Sequence, residues 1–262
     1  MNDSSWVAKA NRAALLKEEL SENITEFLEQ FPPTLQLHQG EGLTYSITVH
    51  FTRELPSTFS TILGDLIHNY RSALDSATFA LVEAHALGKE FKVEDVKFPI
   101  FLKREYFAEG KWHQKILPNE VVSFFEGLQP FSWAGVENSE EDNLEIRKGH
   151  PLARLQEISN SDKHRLIKFL YVYLGMFSIH PIQGSLKSNK FVRPQPWKNG
   201  DKIYEFELSH AGEVFLNPEF KIALEQDVLP AGIQDLENLL GAIYGQVRHA
   251  IGGIEHHLGL TK

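Results

Sequence analysis

Apolar residues from Ser57 to Leu87 recur at the spacing of a long amphipathic helix. At 100° per residue, Leu63, Leu66, Ile67, Tyr70, Ala73, Leu74, Ala77 and Leu81 fall within about 120° of arc, the width of a stripe that packs against a core. Asp75, His68, Ser72, Asp65, Ser76 and Asn69 fill an opposing arc of about 120°, with Arg71 just beyond its edge. Pro56, Ser57 and Thr58 suit the start of this helix, because a hydroxyl caps free backbone N–H groups, and Gly88 suits its end.

The flanking chain alternates between helical and extended patterns. Asp3 to Phe31 reads as a helix, with Ala14, Leu15, Leu20, Ile24, Phe27, Leu28 and Phe31 at helical spacings, and Pro32-Pro33 stops it. Tyr45, Ile47, Val49 and Phe51 alternate with Thr44, Ser46, Thr48 and His50, which predicts a half-buried strand over residues 43–53. KFPIFLKREYF, with Pro99 inside it, predicts an edge strand or an extended segment, and Leu117 to Phe125 a short helix with Pro118 in its first turn. Residues 132–150 are polar and predict a solvated loop. Helical spacing returns over 151–176 and over 232–258. Between them FVRPQPW, Asn199-Gly200, KIYEFELS and EVFLNP predict a β-meander over 190–217 with a type I′ hairpin.

These elements predict a single α+β domain over residues 1–262. Its helical core comes from residues 1–31, 57–87, 151–176 and 232–258, and a small antiparallel sheet from 43–53 and 190–217 packs on that core. With 42% apolar residues the chain can bury a real core, which excludes a disordered class. A net charge of −9 argues against a general electrostatic grip on nucleic acid. There is no cysteine, so disulfides, thiolate metal sites and cysteine nucleophiles are excluded, and a cytoplasmic location is expected. No apolar run is long enough to predict a membrane span, and no membrane partner is expected.

Three polar constellations stand out. GDLIHNYRSALDS, residues 64–76, is compatible with an ordinary helix surface, with a buried network, or with a pocket whose groups move protons or hold an anion. Asn160, Asp162, Lys163, His164 and Arg165 could grip a phosphate or carboxylate, or start a helix with their long cations in water. Arg248, His249, Glu255, His256 and His257 lie near the last helix end, and their face opposes the leucine stripe, which favours exposure over metal binding. P-loop, dinucleotide-binding, nucleophile-elbow and H-E-x-x-H motifs are absent, and no cofactor is expected.

GDLIHNYRSALD at residues 64–75, FPIF at 98–101 and SNSDKHR at 159–165 together resemble a family of uncharacterised bacterial proteins, over roughly residues 5–175. A His commonly follows RSALD in that family, and Ser76 stands there in this chain. The helix is also similar, more loosely, to HEPN domains, helical bundles in which an Arg and a His a few residues later form a ribonuclease site. Arg71-Ser72 supplies the first half of that motif, and no His occupies positions 76–78. The resemblance implies a HEPN-like helical protein whose polar cluster binds a phosphate-bearing or other anionic ligand, RNA included. In that arrangement Arg71, Lys163 and Arg165 hold the anion. Asp65, Asn69, Asp75 and Asp162 orient them, and His68 or His164 exchanges protons. The rival is a non-enzymatic protein in which the same residues form a buried network that fixes helix packing, and the protein acts through its acidic surface or by self-association.

Overall fold

A computed structural model describes residues 4–260 apart from 87–88, 109–111, 134–139, 163–166, 168, 174–178, 182–184, 193–196, 211–213, 217–219, 226–227, 230–231 and 234. Among the described residues are eight α-helices and a four-stranded antiparallel sheet, an α+β protein with more helices than its sequence periodicity announces. The helices are α1 (Ser5–Gln30), α2 (Ser57–His85), α3 (Arg104–Ala108), α4 (Trp112–Ile116), α5 (Asn119–Gly127), α6 (Glu140–Gly149), α7 (Pro151–Asp162) and α8 (Leu236–His257). The chain divides into two compact units. The first comprises residues 1–19, 61–167 and 239–262, the second 20–60 and 168–238.

The first unit is helical, and the stripe of α2 lies in its core. All eight apolar positions predicted for that stripe are at most 1% exposed. Also buried in this unit are Ala10, Ala13 and Leu16 of α1, Leu152, Leu155 and Ile158 of α7, and Ile243, Val247, Ile251 and Ile254 of α8. Glycine matters on α8 at one place, because a Cβ at Gly253 would sit 2.1 Å from Cζ of Phe124, so the Phe124 ring packs where a side chain would stand. At Gly241, Gly245 and Gly252 nothing in the described structure crowds such a Cβ. A Schellman motif ends α8, with Gly259 at φ +69°, its N–H bonded to His256 O at 2.9 Å and Leu260 N–H to Glu255 O at 2.9 Å.

Three sequence expectations are corrected in this unit, the first at the end of the expected extended segment KFPIFLKREYF, where Arg104–Ala108 form α3. Residues 140–149, within the expected loop, form α6, where good helix formers are supported by ion pairs of Arg147 with Glu140 at 2.9 Å and Lys148 with Glu145 at 2.8 Å. The helix expected over 151–176 ends at Asp162. Its start is capped by buried His150, whose Nδ1 accepts from Leu152 N–H at 3.1 Å.

The second unit is organised by strands. Its sheet has the order β1 (Thr34–Gln39), β2 (Thr44–His50), β6 (Lys202–Leu208), β5 (Leu186–Phe191), antiparallel throughout. Tyr45, Ile47 and Val49 form the buried face of β2, as the alternation predicts, and pack with Ile203, Phe206 and Trp197. Strand β1, with only Leu35 partly buried, carries almost no alternating burial to betray it. The remaining pairs are β3 (Phe169–Tyr173) with β8 (Phe220–Leu224), β4 (Ile179–Pro181) with β7 (Val214–Leu216), and β9 (Val228–Leu229) with β10 (Gly232–Ile233). Residues 169–173 are thus strand rather than helix, since an aromatic and β-branched run suits a pleated ladder once β8 supplies a partner. The meander is corrected as well: β7 pairs with β4, and Asn199-Gly200 is not a two-residue hairpin. It lies in a turn closed by Asp201 N–H to Lys198 O at 3.0 Å, with Gly200 at φ +82°. Residues 232–233 belong to β10, so α8 begins at Leu236.

Candidate functional site

Arg71 and Asp75 are one helical turn apart on α2, so their side chains project from the same side of the helix. Arg71 Nη2 donates to Asp75 Oδ1 at 3.3 Å, and the same Oδ1 accepts the Phe98 N–H at 2.8 Å. The FPIF segment thereby rests on α2. Its other anchor is Gln129, fully buried just after α5, whose Oε1 accepts Phe101 N–H at 2.9 Å and whose Nε2 donates to Pro99 O and Phe125 O, each at 3.0 Å. Pro99 has no N–H to give a ladder, and side chains take the strand partner's place, so this segment is extended without belonging to a sheet.

Beside this wall lies an open cleft of about 670 Å³ within the first unit. Arg71 lines it together with Lys92, Lys97 and Lys115, which are exposed, and with Glu90 and Asp95. Phe91, Phe98, Ile100 and Phe101 supply apolar surface. The rim is tied by Lys89, whose Nζ donates to the carbonyls of Lys115 and Ile116, each at 3.2 Å. The side chain of Arg71 is 12% exposed, and its Nη1 is buried with no hydrogen-bond partner among the described residues. Burial lowers the pKa of this guanidinium from its ordinary value, and the neighbouring Asp75 carboxylate opposes that shift.

The other predicted residues divide sharply. Asp65 and His68 are exposed and do not line the cleft, and Asn69 spends a donor locally on Asp65 O at 2.8 Å. The helix motif and the later Asp162 do meet: a Cβ at Gly64 would lie 2.7 Å from Asp162 Oδ1, so glycine admits the carboxylate against α2. Lys163, His164 and Arg165 lie outside the described residues. In the third constellation Arg248 and His249 are exposed, Glu255 accepts from Trp6 Nε1 at 3.1 Å, and His257 packs on Phe124 with ring centroids 5.2 Å apart. Among the described residues no group of three or more His, Asp or Glu side chains is placed to hold a metal.

Sequence reasoning missed Lys92, Lys97, Lys115 and Gln129. Lys97 directly precedes FPIF, which was its one signal, while Gln129 lies in a short link with no periodic pattern. Scanned against models of protein families, curated proteins and solved structures, the chain matches none.

Proposed function

We propose that the first unit binds an anionic ligand, phosphate- or carboxylate-bearing, with Arg71 as its anchor. The observation that carries this is Arg71 Nη1, buried beside an open cleft with no acceptor among the described residues. A buried donor of a charged group left without an acceptor costs about 1–3 kcal/mol or more, so an oxyanion entering the cleft would recover that loss. Lys92, Lys97 and Lys115 add positive charge around the same opening, on a chain whose overall charge is negative. An RNA phosphate belongs to the same chemical class. The HEPN-like form of the proposal rests on Arg71-Ser72 together with the helical character of the unit.

The structural rival draws support from a different atom of the same cluster. Asp75 Oδ1 joins Arg71 to the Phe98 amide, and that role is chain positioning. Binding and packing therefore share one ion pair, with Arg71 facing the cleft and Asp75 holding its wall.

The test is calorimetric titration with inorganic phosphate, pyrophosphate, citrate and a short RNA, using the intact protein and Arg71→Gln, with circular dichroism as the folding control. At least one probe is expected to bind the intact chain, and Arg71→Gln to weaken it about tenfold or more, as loss of a charge-assisted contact implies. Binding of equal strength by both proteins would remove Arg71 from the site, and binding of no probe would end the anion reading.

A further inference from the structure

The walls of the cleft select among anions by charge and by apolar surface. Among the described residues four cations line it, Arg71, Lys92, Lys97 and Lys115. Glu90 and Asp95 stand on the same lining, and Asp75 is already bound to Arg71. One positive charge remains in excess. A polyphosphate or nucleic acid strand carries several negative charges, more than one excess positive charge balances, on a chain with net charge −9. A ligand with one negative charge matches the balance.

The apolar part of the lining is of comparable weight. Phe91, Ile100 and Phe101 are each half-buried and each line the cleft, so part of their surface meets the opening. Phe91 is held in place by an edge-to-face contact with Phe79, centroids 6.4 Å apart. The Phe101 N–H donates to Gln129 Oε1, which fixes the backbone there. Inorganic anions would leave this surface wet, whereas an organic body would cover it. A volume of about 670 Å³ falls in the range of sites for small organic ligands.

We infer that the cleft takes an apolar monocarboxylate, its carboxylate on the Arg71 guanidinium and its aromatic or aliphatic body against Phe91, Ile100 and Phe101. This rests on the anion reading above and narrows it to a ligand class. Asp75 keeps Nη2 while the carboxylate meets the rest of the guanidinium, so the ion pair that positions FPIF stays intact during binding.

The experiment titrates the intact chain with 2-naphthoate, octanoate, acetate and pyrophosphate at one ionic strength, then repeats it with Ile100→Ser and Arg71→Gln. Naphthoate and octanoate are expected to bind at least about tenfold tighter than acetate, the gain from burying a few methylenes or one ring, and tighter than pyrophosphate. Ile100→Ser should weaken octanoate several-fold and leave acetate unchanged, while Arg71→Gln weakens both acids. If pyrophosphate binds more tightly than either acid and depends on Arg71, the monocarboxylate assignment falls and the anion reading stands. Apolar acids no tighter than acetate would also overturn it, and silence from every probe would sink both.

Discussion

Asp65 and Asp75 belong to one polar arc of α2, and they end in opposite circumstances. Asp65 is exposed, and its main-chain oxygen accepts from Asn69. Asp75 is half-buried and its Oδ1 serves both Arg71 and the Phe98 amide. Helix geometry treats the two alike. What separates them is the extended segment 98–101, which covers the later part of the arc and leaves the earlier part in water. A polar stripe on a helix is therefore an offer of chemistry, and the chain that crosses it decides where that offer is taken up.

The largest effect expected from this contrast is at Asp75. Asp75→Ala removes the acceptor of the Phe98 amide and leaves the Arg71 guanidinium buried without its carboxylate, at a cost of about 3 kcal/mol. Chemical denaturation should show it as a lower midpoint, and an unchanged midpoint would mean that the FPIF wall does not depend on this carboxylate.

His150 gives the next effect, on the same theme of cover. It is 1% exposed, and burial pushes its pKa from 6.5 down to about 4. Between those values the unfolded chain binds a proton that the folded chain refuses, so stability is full above about pH 6.5 and falls as pH drops towards 4. The loss is on the order of 2–3 kcal/mol. His150→Asn keeps a cap acceptor for the Leu152 amide without the titration, and its denaturant midpoint should lack this contribution between those pH values. A variant with the same pH dependence as the parent would assign the loss to other groups.

The smallest effect should come from the open part of the arc. Asp65→Ala and His68→Ala each shift stability by less than about 0.5 kcal/mol, the usual range for exposed sites. They should also leave the affinity of any Arg71-dependent anion unchanged within about twofold, because neither residue lines the cleft. A larger loss of affinity from His68→Ala would extend the site along α2 and weaken the contrast drawn here.

How far the sequence disclosed this arrangement depends on whether the signal was local. The apolar stripe of α2 and the alternation of β2 are properties of consecutive residues; the stripe matches position by position, and the alternation matches from Thr44 to His50, with Phe51 beyond the strand's end. KFLYVY was ambiguous, because a short apolar run satisfies helix and strand alike until its partner β8 is known. For EEDNLEIRKG, charge hid a helix whose support comes from its own ion pairs. Arg71 and Asp75 could be singled out from spacing. Their division of labour could not, since it depends on Phe98 and Gln129 arriving from elsewhere in the chain.

The first unit gathers residues 1–19, 61–167 and 239–262, and the last of these supplies core side chains as late as Ile254. Synthesis delivers those residues after the unit's other two segments, at a pace of about 5–20 residues per second. The apolar stripe of α2 therefore leaves the ribosome many seconds before the helix that completes its core. Over that interval the core of the unit lacks the side chains of α8, and a premature stop anywhere in α8 would leave the cleft-bearing unit without them.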